Sequence, residues 1–236
     1  MLLHVLQAAR AVAAERVVVV LGHGHEQVEP LLPLGVQVAL QERQLGTGHA
    51  LLCAAPHILP GPFLVLCGDT PLIRGETLLA LVEAHRRAEA EATLLTTELA
   101  DPTGYGRVLR ADDGSVLAVV EHRDAGPRER AVREVNSGVY VLTAPLALEL
   151  LRTVGTGNKQ GEVYLTDVIT LLCERGHKVA AYQAADPDEL RGVNSPEELA
   201  VAERLWAARN DAGPDVAGPD AACPEAARAE AGTLRS

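Results

Sequence analysis

The residues that could do chemistry fall in a few short runs rich in glycine, small polar side chains and single carboxylates. Leu66–Leu72 reads LCGDTPL. Asp69 there stands just past an apolar run, at the strand end where ligands gather in open α/β sheets. Such a carboxylate either holds a divalent cation or satisfies the amides of its own turn. Gln41–Ala50 reads QERQLGTGHA, with Gly46 and Gly48 flanking Thr47, a plausible N-cap, at a helix start. Amides freed there bind anions or carbonyl oxygens, and glycine permits close approach; a plain strand-to-helix joint is the alternative. Asp101–Val108 (DPTGYGRV) is a tight loop running into a strand, and Glu121 ends the strand of VVEHRDA. Asn136 lies inside the apolar strand of EVNSGVY, where an amide needs a hydrogen-bond partner. A ligand hydroxyl, an acetamido group or the backbone could each supply it. GEVYLTD sets Glu162, Tyr164 and Thr166 beside a glycine loop, and Asn194 in GVNSPEEL precedes a helix as a ligand or as a cap.

Other chemistries find no support. Four cysteines, Cys53, Cys67, Cys173 and Cys223, have no CxxC spacing, and the eight histidines offer no zinc pattern. Cys53, Cys67 and Cys173 sit in apolar runs and read as reduced, buried thiols, which suits a cytoplasmic setting. No nucleophile elbow is visible. A net charge of −11 argues against binding nucleic acid or an anionic membrane. Aromatic residues at 3% make base-stacking platforms improbable. No apolar stretch reaches the roughly 18 residues of a membrane span, and the first residues, without a basic start, do not read as a signal peptide.

The elements that must position these residues alternate. Leu2–Ala13 has helical spacing; Arg16–Leu21 and Val36–Leu40 read as strands around a short helix; Thr47 opens a helix. Phe63–Cys67 is a third strand, and Gly75–Ala90 a helix with Leu78, Leu79, Leu81 and Val82 on one side. This pattern predicts a doubly wound, mainly parallel α/β sheet with helices on both faces. The middle holds short strands joined by turns, with Asp112-Asp113-Gly114 closing a hairpin. Later come a strand at Glu134–Leu142, a helix within Gly161–Arg175 and a strand at Lys178–Tyr182. Ser195 and Glu198 form a capping box for a last helix. After Trp206 the chain is rich in Ala, Pro and Gly. Residues 1–206 are therefore expected to form one domain, and 207–236 a disordered tail.

Taken in order, LGTGHA, GDTPL, DPTGYGR, VVEHRDA, EVNSGVY, GEVYLTD and GVN resemble the uridylyltransferase domain of bifunctional GlmU proteins, the N-acetylglucosamine-1-phosphate uridylyltransferases. The resemblance covers about residues 1–206, and LGTGHA, DPTGYGR and GVN together separate this family from most other sugar nucleotidyltransferases. It implies a Rossmann-like fold of the nucleotide-diphospho-sugar transferase type. It also implies uridylyl transfer from UTP to N-acetylglucosamine-1-phosphate, giving UDP-N-acetylglucosamine for cell-wall (peptidoglycan) precursors. By the same resemblance Gln41, Gly46 and Thr47 meet the uracil and ribose. Cys67, Gly68 and Asp69 line the nucleotide, Cys67 standing where the family often has Tyr. Gly106, Glu121 and Asn136 hold the N-acetylglucosamine, and Asp69 and Asn194 bind Mg²⁺. A homo-oligomer is compatible with it.

The family's first strand, its Gly-rich phosphate loop ending in Arg, and a later Lys would precede Met1, and the family's β-helix acetyltransferase domain would follow. The expectation is thus a domain truncated at its N-terminus with little uridylyl transfer of its own. The alternative is a non-catalytic relic that binds a UDP-sugar or a protein partner.

Overall fold

The computed structural model describes residues 1–211. Its first third alternates helix and strand: α1 (Leu2–Ala9), β1 (Val18–Leu21), α2 (His25–Val28), β2 (Gln37–Leu40), α3 (Thr47–Ala54), β3 (Gly61–Val65) and α4 (Gly75–Ala88). The middle is β-rich: β4 (Ala92–Glu98), β5 (Gly106–Arg110), β6 (Val116–Val120), the short α5 (Pro127–Arg130) and the long β7 (Glu134–Ala144). It ends with α6 (Leu146–Leu151), α7 (Thr166–Glu174), β8 (Val179–Gln183) and α8 (Pro196–Asp211).

The α/β class and the helix–sheet–helix layering agree with the sequence pattern, but the sheet is mixed rather than mainly parallel. β1 and β2 form a parallel pair of their own, and β4 and β8 are parallel. β3 and β4 both run antiparallel to β7, as does β5, which is also antiparallel to β6. Connection length explains this. A tight turn, with Gly114 at φ +84° and Gly114 N–H bonded to Ala111 C=O, can only return the chain antiparallel. Eleven-residue β7 is the spine. β4 lies along one edge, while the other takes β5 at its start and β3 at its end.

Alternation along the spine sorts two cores. Leu94, Tyr140 and Leu142 face a cluster with Leu51 of α3, Leu148 and Leu150 of α6 and Ile169 and Leu172 of α7. Leu95, Val139 and Val141 face Val5 of α1 and Leu78 and Leu81 of α4. A strand covered on both faces is apolar throughout, and β4 from Ala92 to Thr97 is buried residue by residue. In α4 the buried face is Leu78, Leu81 and His85, whereas Leu79 is 47% exposed, off the side it was expected to share with Leu78 and Leu81.

α8 is tied back by Arg209, which donates to Leu72 C=O and to Asp186, itself bonded to Arg74. The helix runs to Asp211, past the boundary drawn at Trp206; the rest of the expected tail, with Cys223, lies outside the described residues. Ser195 Oγ accepts from Glu198 N–H, but the Glu198 carboxylate accepts from Asn194 N–H, so only half of the expected capping box forms.

Candidate active site

The edge of β7 is open where β5 has begun and β3 has ended, and Gly106, Asn136 and Cys67 lie at that opening, with Glu121 beside Gly106. Gly138 sits in it at φ +80°, at a register shift that sets Thr96 against Asn136 and Leu94 against Tyr140. The bulge brings Asn136 and Tyr140 together. Asn136 Nδ2 donates to Tyr140 Oη at 2.5 Å, while the other end of the amide, Oδ1, is buried with no partner among the described residues. A buried unpaired amide end is costly, and this one, an oxygen, calls for a ligand donor. Gly106 pairs with Asn136 in register. A side chain at Gly106 would come within 3.5 Å of Glu121 Oε2 and within 3.2 Å of Val119, so only glycine leaves that surface open. Glu121 accepts from Thr166 Oγ at 3.0 Å. Buried Arg107 donates to Tyr105 C=O and reaches His122 Nδ1 at 3.4 Å, joining the loops that flank Gly106 and Glu121.

Cys67, past the end of β3, packs under Gly138. Its Sγ donates to Gly138 C=O at 3.4 Å and lies 2.7 Å from where a Cβ on Gly138 would stand. Burial, with the charge of Asp69, pushes the Cys67 thiol up to about 12. Gly68 is exposed. Asp69 and Asn194, far apart in sequence, are brought together. Asn194 Nδ2 is 3.5 Å and Asp69 Oδ2 3.8 Å from the point a Cβ on Gly192 would occupy, and Val193 N–H donates to Asp69 C=O.

Gln41 follows β2 and lines a cavity of about 400 Å³ with Leu21, Gly22, His23, Leu40 and Gln44. None of the other candidate residues lines that cavity. Gly46, not Thr47, is the N-cap of α3. It stands at φ +105° with Val163 C=O 2.6 Å from a would-be Cβ. Thr47 Oγ accepts instead from Leu165 N–H. Val163 N–H donates to Leu45 C=O, and Gly48 N–H donates to Val163 C=O. These bonds stitch the LGTG segment to the GEVYLTD segment, whose Thr166 reaches Glu121. Tyr164 Oη accepts from Gln160.

The site is electrostatically hungry for positive charge. Burial, then neighbouring Glu198, raises the Asp69 pKa against a bond from its own backbone. Burial raises Glu121 against the Thr166 bond, with Asp167, Asp124 and Glu162 adding to the rise. A cation beside either carboxylate would favour its charged form. Asp69 and Asn194 offer one carboxylate and one amide oxygen, hard donors that suit a divalent cation with other oxygens completing its shell. No cluster of three His, Cys, Asp or Glu able to hold a metal occurs among the described residues. No helix among them is long and apolar enough to cross a membrane.

Two residues here escape inspection of the sequence. Tyr140 is masked as an ordinary strand aromatic; the hint is the glycine between it and Asn136, which marks a bulge. His49, bonded to Gln41, reads as one more helix residue.

Residues 1–144 match the model of the MobA-like NTP transferase domain. The chain is similar to the Bifunctional protein GlmU of Geobacillus thermodenitrificans, at 46% identity over 211 residues, covering 89% of this chain and 46% of that protein. The Bifunctional protein GlmU of Corynebacterium aurimucosum is 47% identical over 211 residues, covering 86% of this chain and 43% of that one. The chain spans about half the length of the curated relatives it matches. Its fold is that of a crystal structure of UDP-glucose pyrophosphorylase complexed with UDP-glucose, with a TM-score of 0.69 at 18% identity, covering 88% of this chain and 87% of that one.

Proposed function

Because this chain belongs to the MobA-like NTP transferase family, and is a nucleotidyltransferase domain similar to GlmU proteins, we propose that it is built to move a uridylyl group from UTP to N-acetylglucosamine-1-phosphate. The sugar-phosphate oxygen forms a bond to the α-phosphorus of UTP, and the bond from that phosphorus to the pyrophosphate oxygen breaks. UDP-N-acetylglucosamine and pyrophosphate result, the former a cell-wall precursor made in the cytoplasm. The observation that carries this reading is the half-satisfied amide of Asn136, buried where β7 pairs with Gly106, the glycine that Glu121 flanks. An acetamido group has the N–H and C=O to complete it, and sugar hydroxyls suit the Glu121 carboxylate. Asp69 and Asn194 would hold the Mg²⁺. Bound there, the metal would draw charge from the α-phosphate as it develops. Gln41, Gly46 and Thr47 orient the nucleotide, so that most of the chain's contribution is positioning.

The test measures pyrophosphate release from UTP and N-acetylglucosamine-1-phosphate with Mg²⁺, and UDP-N-acetylglucosamine binding by calorimetry. Asn136→Ala should weaken UDP-N-acetylglucosamine about tenfold while leaving UDP nearly unchanged. Equal losses for both ligands would remove Asn136 from the sugar end. Binding without turnover would favour the non-catalytic reading, and binding of neither ligand would end the proposal.

A further inference from the structure

The side-chain nitrogen of Gln41 lies 3.0 Å from the carbonyl oxygen of Gly46 and 3.0 Å from Nδ1 of His49. A carbonyl oxygen only accepts, so the nitrogen end of the Gln41 amide must face Gly46; the reversed amide would set two oxygens against each other. One amide hydrogen is used there. The second points at His49, so Nδ1 carries a lone pair and the ring proton sits on Nε2. Cys53 Sγ, one turn further along α3, lies 3.9 Å from the same Nδ1, a weak contact that helps hold the ring. Both hydrogens of the Gln41 amide are therefore committed within the protein. Oε1 is the end left for a ligand, on a residue that lines the cavity beside β1 and β2. Close by, the N–H groups of Gly46 and Thr47 bond to no acceptor among the described residues.

An acceptor beside backbone donors complements one kind of base edge. Uracil presents a ring N–H next to a carbonyl oxygen and matches both groups. Cytosine presents a ring nitrogen lone pair next to an amino group and opposes both. Reversing the Gln41 amide would remove the opposition to the cytosine ring nitrogen, one of the two. Gly46 alone resists that reversal by one bond, and His49 adds a second, because a reversed Oε1 would meet the Nδ1 lone pair. We propose that His49 is a positioning residue that locks the Gln41 amide and so makes this end of the site selective for uracil over cytosine. The inference rests on the reading of the site as a nucleotide site, and deepens it.

Calorimetric titration of the whole chain with UDP and with CDP, each with Mg²⁺, tests it. The native protein should prefer UDP. His49→Ala should reduce the UDP-over-CDP preference about tenfold, the value of one neutral hydrogen bond. His49→Asn should restore it, since its Oδ1 supplies an acceptor near the place of Nδ1. Nitrogen NMR of the native chain should find Nδ1 unprotonated. An unchanged preference in His49→Ala, or a proton on Nδ1, would overturn the role of His49 while leaving the nucleotide site intact. Native protein that binds UDP and CDP equally would overturn it as well. Binding of neither nucleotide would overturn both readings.

Discussion

Asp69 is held as an anion against burial and against the carboxylate of Glu198. Its pKa in the folded chain is raised above the roughly 3.9 of an unfolded Asp, so the folded state binds the proton more tightly. Stability is therefore greatest at low pH as far as this residue is concerned, and falls as pH rises from the unfolded value through the raised folded one. Asp69→Asn should flatten that fall in a series of melting temperatures taken without metal. Glu121 and Asp167, raised chiefly by burial, keep part of the slope. A variant whose melting curve tracks the native one across this range would show that Asp69 carries no such strain. Asp69 and Asn194 were singled out beforehand only by the order of the motifs that hold them, since a carboxylate at a strand end also serves as a turn aspartate and an amide before a helix also serves as a cap; the structure sets both beside Gly192. Tyr140 and His49 were not, since each acts by holding a neighbouring amide, and a partnership across a bulge or a helix turn leaves no mark in residue type.

At the scale of elements, the start of α3 depends on Gly46. Its φ of +105° is one that other residues rarely adopt, and Val163 C=O fills the place of a side chain. Gly46→Ala should cost about 1–3 kcal/mol, seen as a fall of roughly 5 °C in melting temperature. A change within 1 °C or so would mean that the loop slips aside at no expense. The strand and helix positions could be read from the sequence because periodicity is a local property. The direction of the strands could not. βαβ-like alternation suggested parallel pairing, yet β7 returns antiparallel against β3, β4 and β5. Which strand an apolar segment joins is decided by packing between distant segments, here two cores that require Leu94 and Leu95 on opposite faces. Composition likewise set the end of α8 too early, because the anchoring of Arg209 to Leu72 and Asp186 is a long-range matter.

Across the whole molecule, stability is uneven. The buried clusters draw on β4, β7 and the helices around them, while β1 and β2 contribute only Val19, Leu21 and Ala39 to the buried set and none to those clusters. Amide hydrogen exchange should therefore be faster in β1 and β2 than in β4 and β7, by opening free energies well below the global one; uniform protection would contradict this. The stitching of Leu45–Gly48 to Val163–Leu165 spans that divide. A ligand that holds the Gln41 end would also restrain the strip leading through Thr166 to Glu121, leaving a second ligand at the Asn136 end less ordering to do. Coupled in this way, the two ends would behave as a logical AND, each occupant reporting on the other by the same factor in both directions. UMP, which leaves the place of the sugar phosphate free, should bind about fivefold more tightly when N-acetylglucosamine-1-phosphate is present, and the sugar phosphate should gain equally from UMP. In Gly46→Ala the mutual gain should shrink toward none, and identical affinities with and without the second ligand in the native chain would mean that the two ends are independent.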